Sequence, residues 1–215
     1  MSGFASIVLD ADSTLVGIEG IAWLAGLRGA ELAARVAAVT DEAMAGTVAL
    51  ESVYARRLEL IGPTREEVAA LSRAYRDAMA PGARAVVADM LRAGREVRVV
   101  SGGLREALLP LARDLGLAAG AVTAVDVVFD ARGAYAGAVP SPLMTDGGKA
   151  EVVRALALPR PILAVGDGAT DLAMRPEVDA FAAFVGFVRR DPVVAGADFV
   201  VASFGEVAAL VAGGI

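Results

Sequence analysis

The feature that most limits what this chain can become is a break in texture after its first strand. Phe4 to Leu9 reads as a short buried strand, because Ile7, Val8 and Leu9 form an unbroken apolar run that ends at Asp10. From about Ile18 to Met79 the residues change to Ala, Leu, Arg and Glu at helical spacing, with few β-branched runs. Breaks near Gly29, Gly46 and Gly62-Pro63 predict about four helices there. Thr64, with Glu67 three residues on, forms the pattern of a capping box for the last of them. Pro81-Gly82 closes the block.

Beyond that point the rhythm alternates. Helices are predicted over Ala83 to Ala93, Leu104 to Leu115, Gly148 to Leu156 and Thr170 to Met174, with another from about Phe204. Strands are predicted over Glu96 to Val100, Ile162 to Val165, Ala180 to Val185 and Asp198 to Val201. Val122 to Phe129 is apolar and β-branched, and the "DARGAYAG" after it reads as a hairpin. Alternation with apolar strands implies the α/β class: a Rossmann-like parallel sheet covered on both faces. The helical block is then an insertion into it. This divides the chain into a core of residues 1–16 and 80–215 and a small helical bundle of 17–79.

Two missing residue types exclude much chemistry. There is no cysteine, which removes disulfides, thiolate nucleophiles and cysteine metal sites, and no histidine, which removes the usual triad base and the commonest transition-metal ligand. Proton transfer then falls to carboxylates, and any metal is expected to be a hard cation held by oxygen. The net charge of −6 and the scattered arginines argue against nucleic acid as a partner. Gly133 to Thr145 is the longest uncharged stretch, and it is too short to span a membrane. With no signal peptide in view, the expectation is a soluble, cytoplasmic protein acting on small molecules, as a monomer or homodimer. Lys149 is the single lysine, so any role for a lysine falls on it.

Ligands of a parallel sheet bind at the carboxyl ends of its strands. Here those ends carry "DADST", "SGG" and "GDGATD", with "DGGKAEVV" opening a later helix. Singly each has a plain structural explanation: a helix cap, a tight turn, a surface lysine, an aspartate in a helix's first turn. Together, in this order, they make a phosphoryl-transfer site. Two carboxylates at one strand end become favourable when a divalent cation lies between them and a bound anion, and Mg²⁺ with a phosphate monoester fits that description. Asp10 would attack phosphorus, forming an aspartyl-phosphate, and Asp12 would supply and then remove the proton. Asp167 and Asp171 would complete the metal site with Asp10 and Asp12. Ser101, the amides of Gly102 and Gly103, Lys149 and Thr170 would hold the phosphate.

At "LDADSTL", "VVSGGL", "DGGKAEVV" and "AVGDGATDLAM" the chain resembles the haloacid dehalogenase superfamily of aspartate-nucleophile phosphatases, along essentially its whole length. The helical insert resembles the small cap of the phosphoserine phosphatase branch. That resemblance implies Mg²⁺ as cofactor, a phosphorylated first aspartate, a cap that closes over the substrate, and phosphoserine as that substrate. It assigns Glu19, in "STLVGIEGIAWLA", to the substrate ammonium and Arg57, in "ESVYARRLELIG", to its carboxylate. Physically the pair is apt, since a guanidinium offers a planar fork to a carboxylate. Met44 is retained from the family pattern, whereas Leu50 stands where relatives often carry an aromatic residue and Val16 to Ile18 are uncharged where relatives often carry charge. Three other readings remain open. One is a phosphotransferase passing the group to an acceptor such as homoserine, and another a phosphatase for a different small ester. The third, a phospho-accepting signalling module, is disfavoured by Asp12 and the insert.

Overall fold

The computed structural model describes residues 3–44 and 50–213, with the side chains of 40–44 and 50–52 outside that description. The predicted break at Gly46 and the side chains of Met44 and Leu50 therefore lie outside the described residues. Strand β1 (Ser6–Leu9) opens the chain, and helices α1 (Gly20–Gly26), α2 (Ala30–Met44), α3 (Leu50–Ile61) and α4 (Arg65–Asp77) follow. Then come α5 (Ala83–Arg92), β2 (Glu96–Leu104), α6 (Arg105–Asp114) and β3 (Val122–Val125). A hairpin of β4 (Val127–Phe129) and β5 (Tyr135–Ala138) leads to α7 (Gly148–Leu156), β6 (Ile162–Gly166) and α8 (Ala169–Leu172). The chain finishes with β7 (Ala180–Phe184), α9 (Asp191–Gly196), β8 (Phe199–Val201) and α10 (Phe204–Val211).

The six-stranded sheet has the order β3-β2-β1-β6-β7-β8, and all its pairings are parallel. Strands β1, β6 and β7 are buried at every residue, the mark of strands with helices over both faces. Their runs of Ile, Val, Leu, Ala and Phe exist to be removed from water, at about 25 cal/mol per Å² of apolar surface. β1 lies at the centre, with β2 on one side and β6 on the other. The connections thus turn in opposite directions on either side of it, the switch point at which such sheets open a crevice.

The insert leaves and rejoins the sheet at one place. The Gly17 N–H donates to the Ala78 carbonyl at 2.9 Å and the Ala80 N–H to the Leu15 carbonyl at 2.8 Å, so the two connecting strands run side by side. Helix α4 begins with the expected capping box: Thr64 Oγ1 accepts from the Glu67 N–H at 3.2 Å, and the Glu67 carboxylate accepts from the Thr64 N–H at 2.8 Å. Tyr75 and Leu71 of α4 are fully buried, and α4 packs along α6. Among the described residues no helix is long and apolar enough to cross a membrane.

Three elements differ from the sequence reading. β2 does not stop at Val100 but runs through Ser101-Gly102-Gly103 to Leu104, with an irregularity in its pairing to β3 between Val100 and Leu104. The apolar run Val122 to Phe129 is two strands, divided at Asp126, and each half joins a different sheet. Helix α9 was not anticipated, although a proline in its first turn is a helix-start signal.

Candidate active site

Three strand ends, of β1, β2 and β6, and the start of α7 converge on one pocket of about 230 Å³. Its lining includes Asp10, Asp12, Glu19, Arg57, Ser101, Gly102, Gly103, Lys149, Asp167, Thr170 and Asp171, together with residues the sequence did not mark: Tyr54, Thr145 and Arg190. Asp10 follows β1 directly and its N–H donates to the Val165 carbonyl at 3.0 Å, which ties the end of β1 to that of β6. Asp167 follows β6, and Asp171 lies one helical turn later, on α8. The Asp171 Oδ2 accepts from the N–H groups of Asp167 at 3.2 Å and Gly168 at 2.9 Å. This folds the side chain back over Gly166, where a Cβ would stand 2.2 Å from the Asp171 carboxyl carbon. Only glycine permits so close an approach.

Lys149 comes from the start of α7 and is buried. Its Nζ donates to Asp10 Oδ1 at 2.5 Å and to Asp171 Oδ1 at 2.6 Å. Burial alone would lower its pKa, but the charges of Asp10 and Asp171 hold it above the usual lysine range. Asp10, Asp167 and Asp171 each offer a carboxylate oxygen within 4.8 Å of the others, an arrangement that can hold a metal ion. An all-carboxylate donor set suits a hard dication rather than a thiophilic metal. The electrostatics agree, because Lys149 does not neutralise the cluster. Burial first, and then the charge of Asp171, push the Asp10 carboxyl up to about 8 against the pull of Lys149.

Asp12 lies outside this three-carboxylate group. Its Oδ2 accepts from the Gly20 N–H at 2.9 Å, and its Oδ1 is buried. Burial, and then the charge of Glu19, push the Asp12 carboxyl up to about 7, and the Gly20 N–H works against them. Gly20 is itself constrained, since a Cβ there would meet the Tyr75 hydroxyl at 2.0 Å.

The residues expected to hold phosphate sit at the far end of β2. Ser101 is buried, and its Oγ accepts from the Gly103 N–H at 3.0 Å. Glu19 precedes α1 and accepts from the Ser13 hydroxyl at 2.6 Å; Ser13 itself adopts a left-handed backbone, at φ 54°. Arg57, which the sequence could have placed in an exposed pair with Arg56, is only 5% exposed, and burial lowers its pKa from the usual arginine value. Arg190 enters from the loop before α9. It pairs with the Asp167 carboxylate and comes within 3.9 Å of Glu19. The sequence offered no signal for Arg190 beyond its position shortly after a strand end.

Comparison with known proteins agrees with this geometry. The haloacid dehalogenase-like hydrolase family matches residues 7–176. The chain is similar to the phosphoserine phosphatase of Bos taurus, 35% identical over 205 residues, which cover 94% of this chain and 90% of that one. It is also similar to a solved structure of a phospho-aspartyl intermediate analogue of phosphoserine phosphatase, with a TM-score of 0.79 and 26% identity over 94% of this chain and 96% of the other. A phosphoserine phosphohydrolase-like protein from Francisella tularensis shares the fold, with a TM-score of 0.87 and 22% identity over 96% of this chain and 99% of that one.

Proposed function

The chain belongs to the haloacid dehalogenase-like hydrolase family, and on that premise we propose that it is a Mg²⁺-dependent phosphoserine phosphatase, hydrolysing L-phosphoserine to L-serine and phosphate in the cytoplasm. One observation carries this reading. A carboxylate cluster at the strand ends shares its pocket with a buried arginine and a glutamate from the helical insert. Such a pocket matches a substrate with a phosphate at one end and an amino acid at the other.

In this reading residues 17–79 form a cap over a core of 1–16 and 80–215. Ser101, the Gly102 amide, Thr170 and Lys149 grip the phosphoryl oxygens, while the Gly103 N–H, expected to share that task, is taken up by Ser101 Oγ. The Ser101 Oγ accepts from Gly103, which leaves its O–H to donate. Lys149 has three donors; two go to Asp10 and Asp171, and the third is available to phosphate. Asp10 attacks phosphorus as the ester oxygen leaves, and Asp12 gives that oxygen its proton. A water then attacks the aspartyl-phosphate while Asp12 takes up the water's proton, and phosphate and the Asp10 carboxylate are released. A carboxyl pushed up to about 7 suits a group that must give and accept a proton near neutrality. Asp10 has the opposite need and must be ionised to attack. Mg²⁺ held by Asp10, Asp167 and Asp171 would supply the positive charge that ionises Asp10 and offsets the charge of the phosphoryl group. Arg57 takes the substrate carboxylate in a bidentate grip and Glu19 the ammonium.

The test is phosphate release from a panel of phosphate esters with and without Mg²⁺, comparing the native protein with Asp10→Asn. Turnover of phosphoserine that needs both Mg²⁺ and Asp10 is expected. No turnover of any ester would end the phosphatase reading, and turnover of other esters but not phosphoserine would end the substrate assignment alone.

A further inference from the structure

Tyr54 stands on α3 three residues before Arg57, and helical spacing alone marks it as packing. Its surroundings give it more than packing to do. The side chain is 2% exposed, and its hydroxyl donates to the Gly102 carbonyl at 2.5 Å. The Arg57 guanidinium carbon lies over its ring, 5.4 Å from the centroid. Both contacts lie in the pocket wall, so one side chain touches the arginine of the helical insert and the phosphate loop of the sheet.

The Gly102 carbonyl belongs to the same planar peptide unit as the Gly103 N–H, and that N–H donates to Ser101 Oγ at 3.0 Å. Fixing the carbonyl therefore fixes the direction of the amide, and the amide fixes the serine. Burial raises the Tyr54 pKa, which keeps the hydroxyl a donor at neutral pH. At the other end, the face of a ring attracts and orients a guanidinium, and more strongly where water is excluded.

We propose that Tyr54 is a positioning residue joining the two ends of the substrate pocket, its ring orienting Arg57 and its hydroxyl holding the Gly102–Gly103 peptide that orients Ser101. The proposal rests on the assignment of Arg57 to the substrate carboxylate and Ser101 to the phosphate, and it divides Tyr54 into two separable parts. The hydroxyl serves the phosphate and so acts on every ester. The ring serves the carboxylate and so acts on phosphoserine alone.

The experiment compares Tyr54→Phe and Tyr54→Leu, each with and without Arg57→Ala, on phosphoserine and on an aryl phosphate lacking a carboxylate. KM and kcat are measured in Mg²⁺, with a thermal melt of each variant. Tyr54→Phe is expected to lower kcat/KM by about five- to tenfold on both esters alike, the effect of losing one hydrogen bond. Tyr54→Leu is expected to raise KM for phosphoserine by about a further tenfold while adding nothing on the aryl ester. That extra loss should vanish in the Arg57→Ala background, because the ring then has no guanidinium to orient. A merely structural tyrosine would instead lower the melting temperature and affect both esters equally. Native kinetics in Tyr54→Phe would overturn the hydroxyl's role. An extra Tyr54→Leu loss that is absent, or that persists without Arg57, would overturn the ring's role. If Tyr54→Leu melts below the assay temperature, Tyr54→Met, closer in volume and also ringless, replaces it. Equal losses on both esters in Arg57→Ala alone would end the phosphoserine assignment instead, with the hydroxyl still tested by Tyr54→Phe on the aryl ester.

Discussion

The strand ends and the helical insert contribute to one pocket in different ways. At the strand ends the groups bind each other: Lys149 bridges Asp10 and Asp171, and Asp171 is fastened to the backbone of Asp167 and Gly168. The register of β1 against β6 sets Asp10 beside the start of the turn that carries Asp167. Glu19 and Arg57 instead reach the pocket from the insert, steadied in part by groups close to them in the chain, the Ser13 hydroxyl six residues before Glu19 and the Tyr54 ring three residues before Arg57. In the proposed reading the bond-breaking end is thus a densely cross-linked cluster, and the selecting end is tied to it at fewer points, through Arg190 and Tyr54. A change at the first should disable every substrate, and a change at the second should change which substrate is preferred.

The largest effect should come from Asp10→Asn, which removes the proposed nucleophile. A loss of at least about 10⁴-fold in kcat on all esters is expected, read as phosphate release. Residual turnover near native on any ester would break the view of the strand ends as one common engine. Next comes Arg57→Ala, expected to lower kcat/KM for phosphoserine by about 10- to 100-fold, the range for a hydrogen-bonded charge. The aryl phosphate should change by no more than about twofold; equal losses would place Arg57 with the engine rather than with selection.

A smaller effect concerns stability without metal. A carboxyl whose pKa is higher in the fold than in the unfolded chain stabilises the fold while protonated, below its usual 3.8, and that contribution is lost as pH rises through about 7 for Asp12. The melting temperature of chelator-treated protein should therefore carry a downward contribution from Asp12 between about pH 4 and pH 7. Asp12→Asn, neutral throughout, should reduce that fall, by roughly 2–4 °C for each kcal/mol recovered in a chain of this size. Identical slopes in the two proteins would show that burial of Asp12 carries no such cost. Thr64→Ala should have the smallest effect on function. Losing the capping box of α4 costs about 1 kcal/mol, or roughly 2–4 °C in a melt, with kinetics on both esters unchanged. A shift in substrate preference from this change would mean that selection depends on the stability of the insert as well as on its individual contacts.

How much could be read in advance follows the same division. Asp10, Ser101 and Asp167 were legible because a parallel sheet presents ligands at its carboxyl strand ends, and an apolar run ending in a polar residue marks such an end in one dimension. Gly166 was not singled out, and its need to be glycine came only from the structure, in its close contact with Asp171. The Thr64 cap was legible because both partners lie within one turn. Tyr54 and Arg190 were not legible. A tyrosine on an amphipathic helix and an arginine in a loop have the same local pattern whether they face a site, the core or water. The division of Val122 to Phe129 between two sheets was hidden as well, because an apolar run records burial and not the strand it pairs with.

The sequence by itself determined the class of fold, the helical insert between its first and second sheet strands and the residue types available for chemistry. These depend on periodicity, on composition and on contacts a few residues long. Only the tertiary structure decided that Lys149 lies between Asp10 and Asp171, that Arg57 is buried, and that Tyr54 spans from Arg57 to Gly102. Those facts depend on how distant segments pack, which no local pattern records.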